Sequence, residues 1–130
     1  MKEFAAVEWD RARRAMKSTN LLLEEDPEAS ASRSYYAAFY AVTALFALDG
    51  KTYTKHSGIR AAVHRELVKA GRLTQECGGD YDYLLDLRGE ADYGEVSTVS
   101  LEDARIAVEK AAGILDALRR SCPGLKEGGS

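Results

Sequence analysis

The fold of this chain is decided by its second predicted helix, which carries the sequence ASASRSYYAAFYAVTALFALDG at residues 29–50. Asp26-Pro27 is a typical helix start, with an N-cap residue followed by proline at the first helical position. Gly50 is a typical C-terminal stop. The stretch between them is apolar on nearly every face, so this helix is either central in its bundle or covered by a second subunit. Because one small domain can hardly cover it completely, we expect one face to lie in a homodimer interface.

Helical patterns also flank this segment on both sides, and they recur at spacings of three and four. They predict helices over about Glu3–Glu25, from Ser57 to Gly71, from an N-cap at Asp80 to about Tyr93, and from the Ser100 capping pattern to about Ser121, with a loop at Lys51–His56 and a turn at Gln75–Gly79. The sequence therefore predicts an all-α, antiparallel up-down bundle of four to five helices. The bundle forms one domain over residues 1–122, and residues 123–130 form a disordered tail.

The bulk composition excludes several classes of protein. A net charge of −3 and a pI of about 5.4 argue against a dedicated DNA-binding protein. Cys77 and Cys122 lack metal-ligand spacing and are expected to be free thiols. No membrane span, signal peptide, P-loop, dinucleotide fingerprint or metal-binding motif is recognisable. We therefore expect a cytoplasmic protein with no cofactor, no metal site and no contact with a membrane.

Polar residues within the apolar second helix are the first candidates for a site. Arg33, Tyr36 and Tyr40 are spaced to share one face of it. A guanidinium among aromatic rings can stack on them or present its donors to a phosphate. Alternatively, Arg33 is a structural residue in a buried salt bridge to Glu90 or Asp92, and the two interpretations stay open here. The basic residues of the first helix (Arg11, Arg13, Arg14 and Lys17) are expected to form an ordinary solvated face, with a partner-binding role as the alternative.

The remaining candidates come from the third and fourth predicted helices. His56 precedes the third helix, and it titrates near neutral pH, which makes it the best acid/base candidate. Arg88 and Asp92 are four residues apart and can form a simple surface pair. Alternatively, Arg88, Asp92 and Tyr93 converge with Arg33 and His56 in one polar cleft. His64 is expected to have an ordinary surface role.

Three motifs together carry a resemblance to a known family. They are SRSYYAAFYA at residues 32–41, KHSG at residues 55–58 and RGEADY at residues 88–93. In combination they resemble the HEPN superfamily, and more narrowly its small stand-alone proteins that are paired with minimal nucleotidyltransferases. The resemblance implies a helical-bundle homodimer and a nucleotidyltransferase partner. In such pairs the HEPN protein is often the toxin, and many HEPN proteins are metal-independent ribonucleases.

The family's ribonuclease signature is an arginine followed, after four to six residues, by a histidine. Arg60 and His64 have only three residues between them, so this signature is absent. The resemblance instead points to His56 and Tyr93 as catalytic candidates. Its nucleotide- or phosphate-binding candidates are Arg33, Tyr36, Tyr40, Arg88 and Asp92. We therefore expect a toxin–antitoxin component that acts on or binds RNA or a nucleotide in a dimeric cleft, or alternatively a non-enzymatic dimeric module that docks or regulates a nucleotidyltransferase.

Overall fold

The computed structural model describes residues 2–53, 55–93 and 99–128, and the side chains of these residues except at 90–93 and 126–128. Its helices are α1 (Lys2–Leu22), α2 (Pro27–Leu48), α3 (His56–Ala62), α4 (Gln75–Tyr93), α5 (Leu101–Ser121) and α6 (Pro123–Gly128), with a π-helical segment (Val63–Val68) that continues α3. The described residues contain no strand. The predicted all-α bundle is confirmed, with a sixth, short helix added to it. Among the same residues, no helix is both long and apolar enough to cross a bilayer.

The central element is α2, which packs against α1, α3, α4, α5 and α6. Its start is the predicted one: the Asp26 carboxylate accepts a hydrogen bond from the Ala29 amide at 3.1 Å, and Pro27 is the first helical residue. It ends before Gly50, whose φ of +79° is the left-handed conformation that glycine tolerates. Every residue of α2 is buried or half-buried.

The burial of α2 shows that this helix is central in its own bundle. Tyr36, Phe39 and Tyr40 on one side of it are only partly buried, and a homodimer interface on that face stays a prediction. Six small residues in α2 are fully enclosed and let neighbouring helices approach closely: Ala31, Ala37, Ala38, Ala41, Ala44 and Ala47. Larger side chains complete the core around them, among them Trp9, Leu45, Phe46, Ile59, Leu84 and Ile114. Each contributes about 1.5–3 kcal/mol through its burial.

The start of α4 differs from the prediction of a turn at Gln75–Gly79 followed by an N-cap at Asp80. Helix α4 begins at Gln75 and runs through both glycines of that segment. The Thr74 hydroxyl accepts a hydrogen bond from the Cys77 amide at 3.0 Å, so Thr74 satisfies the first turn. Asp80 lies inside the helix and pairs with Lys110 of α5 at 2.6 Å. The two glycines are a turn signal in the sequence, but in the structure Gly78 allows the close helix contact described below.

Three other boundaries test the predicted helix signals. The capping pattern at Ser100 is confirmed: its hydroxyl accepts from the Asp103 amide and the Asp103 carboxylate accepts from the Ser100 amide. Helix α3 starts at His56 without a side-chain cap from Ser57. The structure has α6 where a disordered tail is predicted from residue 123. Leu125 of α6 is 2% exposed and joins the core, so it anchors this short helix on the bundle.

Candidate functional site

An aromatic cluster surrounds His56 at the junction of α2, α3 and α4. We use the term aromatic cluster for Tyr35, Tyr36, Phe39, Tyr40, His56 and Tyr81. The imidazole of His56 lies 4.6 Å from the Phe39 ring centroid with a tilt of 31°. Its centroid is 5.7 Å from that of Tyr35 and 6.2 Å from that of Tyr36. His56 is the first residue of α3, and the start of this helix places its imidazole against the aromatic side chains of α2.

One hydrogen bond fixes the orientation of this imidazole. The Tyr35 hydroxyl is 2.6 Å from His56 Nδ1. The Tyr81 hydroxyl donates to the Tyr35 oxygen at 3.5 Å, and that oxygen can also accept the proton of His56 Nδ1, which leaves the lone pair of the neutral imidazole on Nε2. The described residues place no hydrogen-bond partner on Nε2, so this nitrogen is the one that can meet a ligand.

The surroundings of His56 keep its ring neutral. Burial lowers the pKa of His56, and the positive charge of Arg88 lowers it further. Burial also raises the pKa values of Tyr35 and Tyr81, so both hydroxyls keep their protons at neutral pH. A neutral imidazole can exchange a proton with a substrate, whereas an imidazolium can only donate one. His56, the acid/base candidate from the sequence, is therefore held in its neutral form.

Two arginines approach the same aromatic cluster. The Arg88 guanidinium, on α4, lies 5.4 Å from the Tyr35 ring centroid and 5.6 Å from that of Tyr36. The Arg33 guanidinium lies 4.8 Å from the Tyr36 centroid. Arg88 is only 9% exposed, while Arg33 is half-buried and lines a surface cleft. Cation–π contacts of this kind help to hold a guanidinium in place.

The predicted site residues thus divide into two groups. The structure brings Arg33, Tyr36, Tyr40, His56 and Arg88 together around one cluster, with the Tyr36 and Tyr40 centroids 6.0 Å apart. No described carboxylate pairs with Arg33. The side chains of Glu90, Asp92 and Tyr93 lie outside the described residues, so neither the salt bridge to Arg33 nor the placement of Asp92 and Tyr93 in the cleft is tested.

Sequence reasoning missed Tyr35, the residue that holds His56. Tyr35 is 0% exposed. It precedes Tyr36 by one residue, so it points about 100° away from the helix face that Arg33, Tyr36 and Tyr40 share. The available signal was the pair of adjacent tyrosines in an otherwise apolar helix. A buried tyrosine hydroxyl needs a partner, and the partner is 21 residues away in the sequence. Nothing local in the sequence identifies His56 as that partner.

The second histidine has a different environment on the π-helical segment. His64 Nε2 lies 2.9 Å from an Asp82 oxygen, and Arg60 Nε donates to the same carboxylate at 2.9 Å. Arg60 also approaches Asp86 at 3.5 Å. The His64 ring packs on Gly78, where an added Cβ would lie 3.0 Å from Cε1 of the ring and 2.7 Å from Val68 Cγ2. Arg60 and His64 thus converge on the Asp82 carboxylate, and they clamp α3 and the π-helical segment that continues it to α4.

The described residues contain no group of three histidine, cysteine, aspartate or glutamate side chains arranged to hold a metal ion. Cys77 and Cys122 are free thiols in the structure, as expected.

The model of the HEPN domain family matches residues 6–121. The chain belongs to the HEPN domain family. Similar proteins include a UPF0332 protein of Thermotoga maritima, 39% identical over 117 residues, which cover 89% of each chain. A UPF0332 protein of Gloeobacter violaceus is 32% identical over 108 residues, or 79% of this chain and 83% of the relative. A Methanocaldococcus jannaschii protein named "Putative toxin MJ0142" is 30% identical over 93 residues, or 72% of this chain and 63% of that protein.

Membership of the HEPN family confirms the resemblance stated from the three motifs. The match spans α1 to α5, so the aromatic cluster and the Arg60–His64 pair both lie within the HEPN domain.

Proposed function

We propose that this HEPN protein is the toxin-type component of a toxin–antitoxin pair and acts on RNA at the aromatic cluster. The observation that carries the proposal is the placement of a neutral, oriented His56 next to the Arg88 charge and the Arg33 guanidinium. An acid/base group and cationic groups are what phosphodiester cleavage needs around the phosphate. The name of the Methanocaldococcus relative also supports a toxin-type role.

The proposed reaction is metal-independent transesterification of RNA. The neutral imidazole of His56 removes the proton from a 2′-hydroxyl, whose oxygen then attacks the adjacent phosphorus. The bond from phosphorus to the 5′-oxygen breaks, and that leaving oxygen takes a proton from an acid, for which Tyr93 is the candidate. The products are a 2′,3′-cyclic phosphate and a free 5′-hydroxyl, so atoms and charge balance.

The arginines stabilise charge in this scheme. Arg33 lies nearer the surface and contacts a phosphate directly, together with the rings of Tyr36 and Tyr40. Arg88 acts from the interior, where its charge is weakly screened and offsets the negative charge that develops on the phosphate oxygens. Asp92, one turn after Arg88, is assigned to the same binding group on the sequence motif alone.

The proposal includes a cytoplasmic location, a homodimer whose cleft contains the site, and a minimal nucleotidyltransferase as antitoxin. The homodimer and the nucleotidyltransferase rest on the family resemblance.

A cleavage assay with purified protein and RNA in the presence of a chelator tests the proposed reaction. The variants are His56→Ala and, as a matched control, His64→Ala. We expect His56→Ala to reduce cleavage by at least about 100-fold, the lower end for losing an acid/base catalyst. We expect His64→Ala to stay within a few-fold of the unmodified protein. No cleavage by a folded, unmodified protein, or equal loss in both variants, would remove His56 from the mechanism.

A second candidate function is a non-enzymatic dimeric module that docks or regulates a nucleotidyltransferase. The observation in its favour is that the arginine and histidine closest to the family's ribonuclease spacing, Arg60 and His64, are engaged with Asp82. Coexpression with a neighbouring nucleotidyltransferase gene separates the two functions. A stable complex with an inactive HEPN chain supports the docking module, and RNA cleavage that the complex suppresses supports the toxin.

A further inference from the structure

A second group of cationic residues lies beside the aromatic cluster, in a cleft between α1 and α2. This cleft has a volume of about 390 Å³. Its lining consists of Arg11, Arg14, Ala15, Ser18, Arg33 and Tyr40. We call it the arginine cleft. Three of its six lining residues are arginines and none is acidic, although the whole chain has a net charge of −3.

We propose that the arginine cleft binds phosphates of a single-stranded RNA next to the His56 site, so that the substrate is an oligonucleotide longer than the group at the reacting bond. This inference rests on the proposed action on RNA and assigns it a substrate class. It also assigns a binding role to two basic residues of the first helix, Arg11 and Arg14, in place of an ordinary solvated face.

The arginines of α1 are held in position while most of their donors stay available. Arg11 Nη1 pairs with Glu8 at 2.8 Å, and Arg14 Nε pairs with Asp10 at 3.1 Å. Both partners lie one turn earlier on α1, and Glu8 is only 4% exposed. Because a guanidinium carries five N–H donors, each of these arginines has donors left for a phosphate. The carboxylates thus reduce the rotamer freedom that binding would otherwise cost.

Arg33 and Tyr40 connect the arginine cleft to the aromatic cluster. A single ring separates Arg33 from His56, because Arg33 lies 4.8 Å from the Tyr36 centroid and that centroid is 6.2 Å from His56. The Tyr40 ring lines the cleft and lies 5.6 Å from Phe39, which stacks on His56. Guanidiniums that follow a backbone, interleaved with aromatic rings on which bases stack, are the usual means of binding single strands.

The test uses a 2′-O-methyl oligoribonucleotide, which lacks the attacking hydroxyl, and measures its affinity by fluorescence anisotropy at several salt concentrations. The variant is Arg11→Gln with Arg14→Gln, because glutamine can still donate to Glu8 and Asp10. The matched control is Arg13→Gln with Lys17→Gln. It removes two positive charges from exposed positions of the same helix that do not line the cleft.

We expect the cleft variant to bind the oligonucleotide at least tenfold more weakly than the control variant. The slope of log affinity against log salt should become shallower by about 0.7 for each lost phosphate contact. Inorganic phosphate should show no such difference between the two variants. Equal affinity and slope in the cleft and control variants would overturn the arginine cleft, as would an unmodified protein that binds no oligonucleotide.

The cleavage assay distinguishes failure of the arginine cleft from failure of the proposed ribonuclease function. Oligonucleotide binding that depends on Arg11 and Arg14, in a protein that cleaves no RNA, supports the cleft and removes the ribonuclease. Cleavage that requires His56 while the two double variants bind alike supports the ribonuclease and removes the cleft.

Discussion

The two histidines of this HEPN domain lie eight positions apart and belong to opposite kinds of environment. His56 is surrounded by aromatic rings and hydrogen-bonded to the neutral hydroxyl of Tyr35. His64 is half-exposed and bonded to the carboxylate of Asp82, which it shares with Arg60. An imidazole beside a carboxylate forms an ion pair when it is protonated, whereas one near a guanidinium resists protonation. The partner of each imidazole thus distinguishes the two histidines: His56 is the candidate for acid/base chemistry, and His64 links the π-helical segment to α4.

The largest effect expected in this comparison comes from Tyr35→Phe. The change removes the hydroxyl that orients His56 and leaves Nδ1 without this partner. We expect cleavage to fall by about 10- to 100-fold, since misplacement of a catalytic group by about 1 Å can cost 10². The loss should appear mainly in kcat, measured on a defined RNA, because Tyr35 is fully buried and does not reach the substrate.

Tyr53→Phe is the matched control, since the Tyr53 hydroxyl bonds Glu66 near the end of the π-helical segment. It should leave kcat unchanged. Equal effects of the two substitutions would show that the bond from Tyr35 has no special role in positioning His56.

An intermediate effect is expected at the two adjacent glycines of α4. Gly78→Ala places a Cβ 2.7 Å from Val68 and 3.0 Å from His64, so it should destabilise the fold by about 1–3 kcal/mol. Gly79→Ala meets nothing within 4 Å and should stabilise the helix by up to about 1 kcal/mol. Urea denaturation measures both changes in the free energy of unfolding.

The pair of glycine variants also tests whether the His64 region is purely structural. Once corrected for the folded fraction, cleavage by Gly78→Ala should equal that of the unmodified protein. A specific loss of cleavage would place the π-helical segment in the active site. If Gly78→Ala lowers the free energy of unfolding and Gly79→Ala raises it, the close contact between α4 and the π-helical segment is verified.

The smallest effect is a dependence of stability on pH. Burial and Arg88 lower the pKa of His56 in the folded protein below its ordinary value of 6.5. The unfolded chain therefore binds more protons than the folded one as the pH falls through about 6.5. The contribution of His56 to the free energy of unfolding is therefore fully present above about pH 6.5. It is lost progressively as the pH falls from there to the pKa of His56 in the folded protein. His56→Gln should reduce the fall in melting temperature between pH 7.5 and 5.5, while His64→Gln should not remove it.

The parts of the fold that local signals control were predictable. Asp26-Pro27, Gly50 and the Ser100 capping box act within one turn of backbone, and the structure confirms each of them. The glycines at 78 and 79 predict a turn from local sequence, whereas the structure places them inside α4, with Gly78 in close contact with His64 and Val68 from another part of the chain. The same limit applies to Leu125, whose burial against the bundle keeps α6 helical.

The candidate site was predictable to the extent that it follows helical spacing. Arg33, Tyr36 and Tyr40 share a face as their spacing requires, and the motif with His56 led to the same cluster. The hydrogen bond between Tyr35 and His56 joins residues from two helices, and only the packing of α3 on α2 creates it. The arginine cleft could not be predicted for a related reason. Arg11 and Arg14 line it together with Arg33, which belongs to the neighbouring helix, and only the packing of α1 on α2 brings the three together.

The enclosure of α2 by its own chain has a consequence for assembly. Obligate dimers share a core, so their melting temperature rises with protein concentration, and their subunits cannot part without unfolding. A chain that covers its central helix by itself can exchange partners while it stays folded. For the homodimer and the antitoxin complex proposed above, formation of the two complexes would then be competing equilibria governed by mass action, and the ratio of the two proteins in the cell would decide which complex prevails.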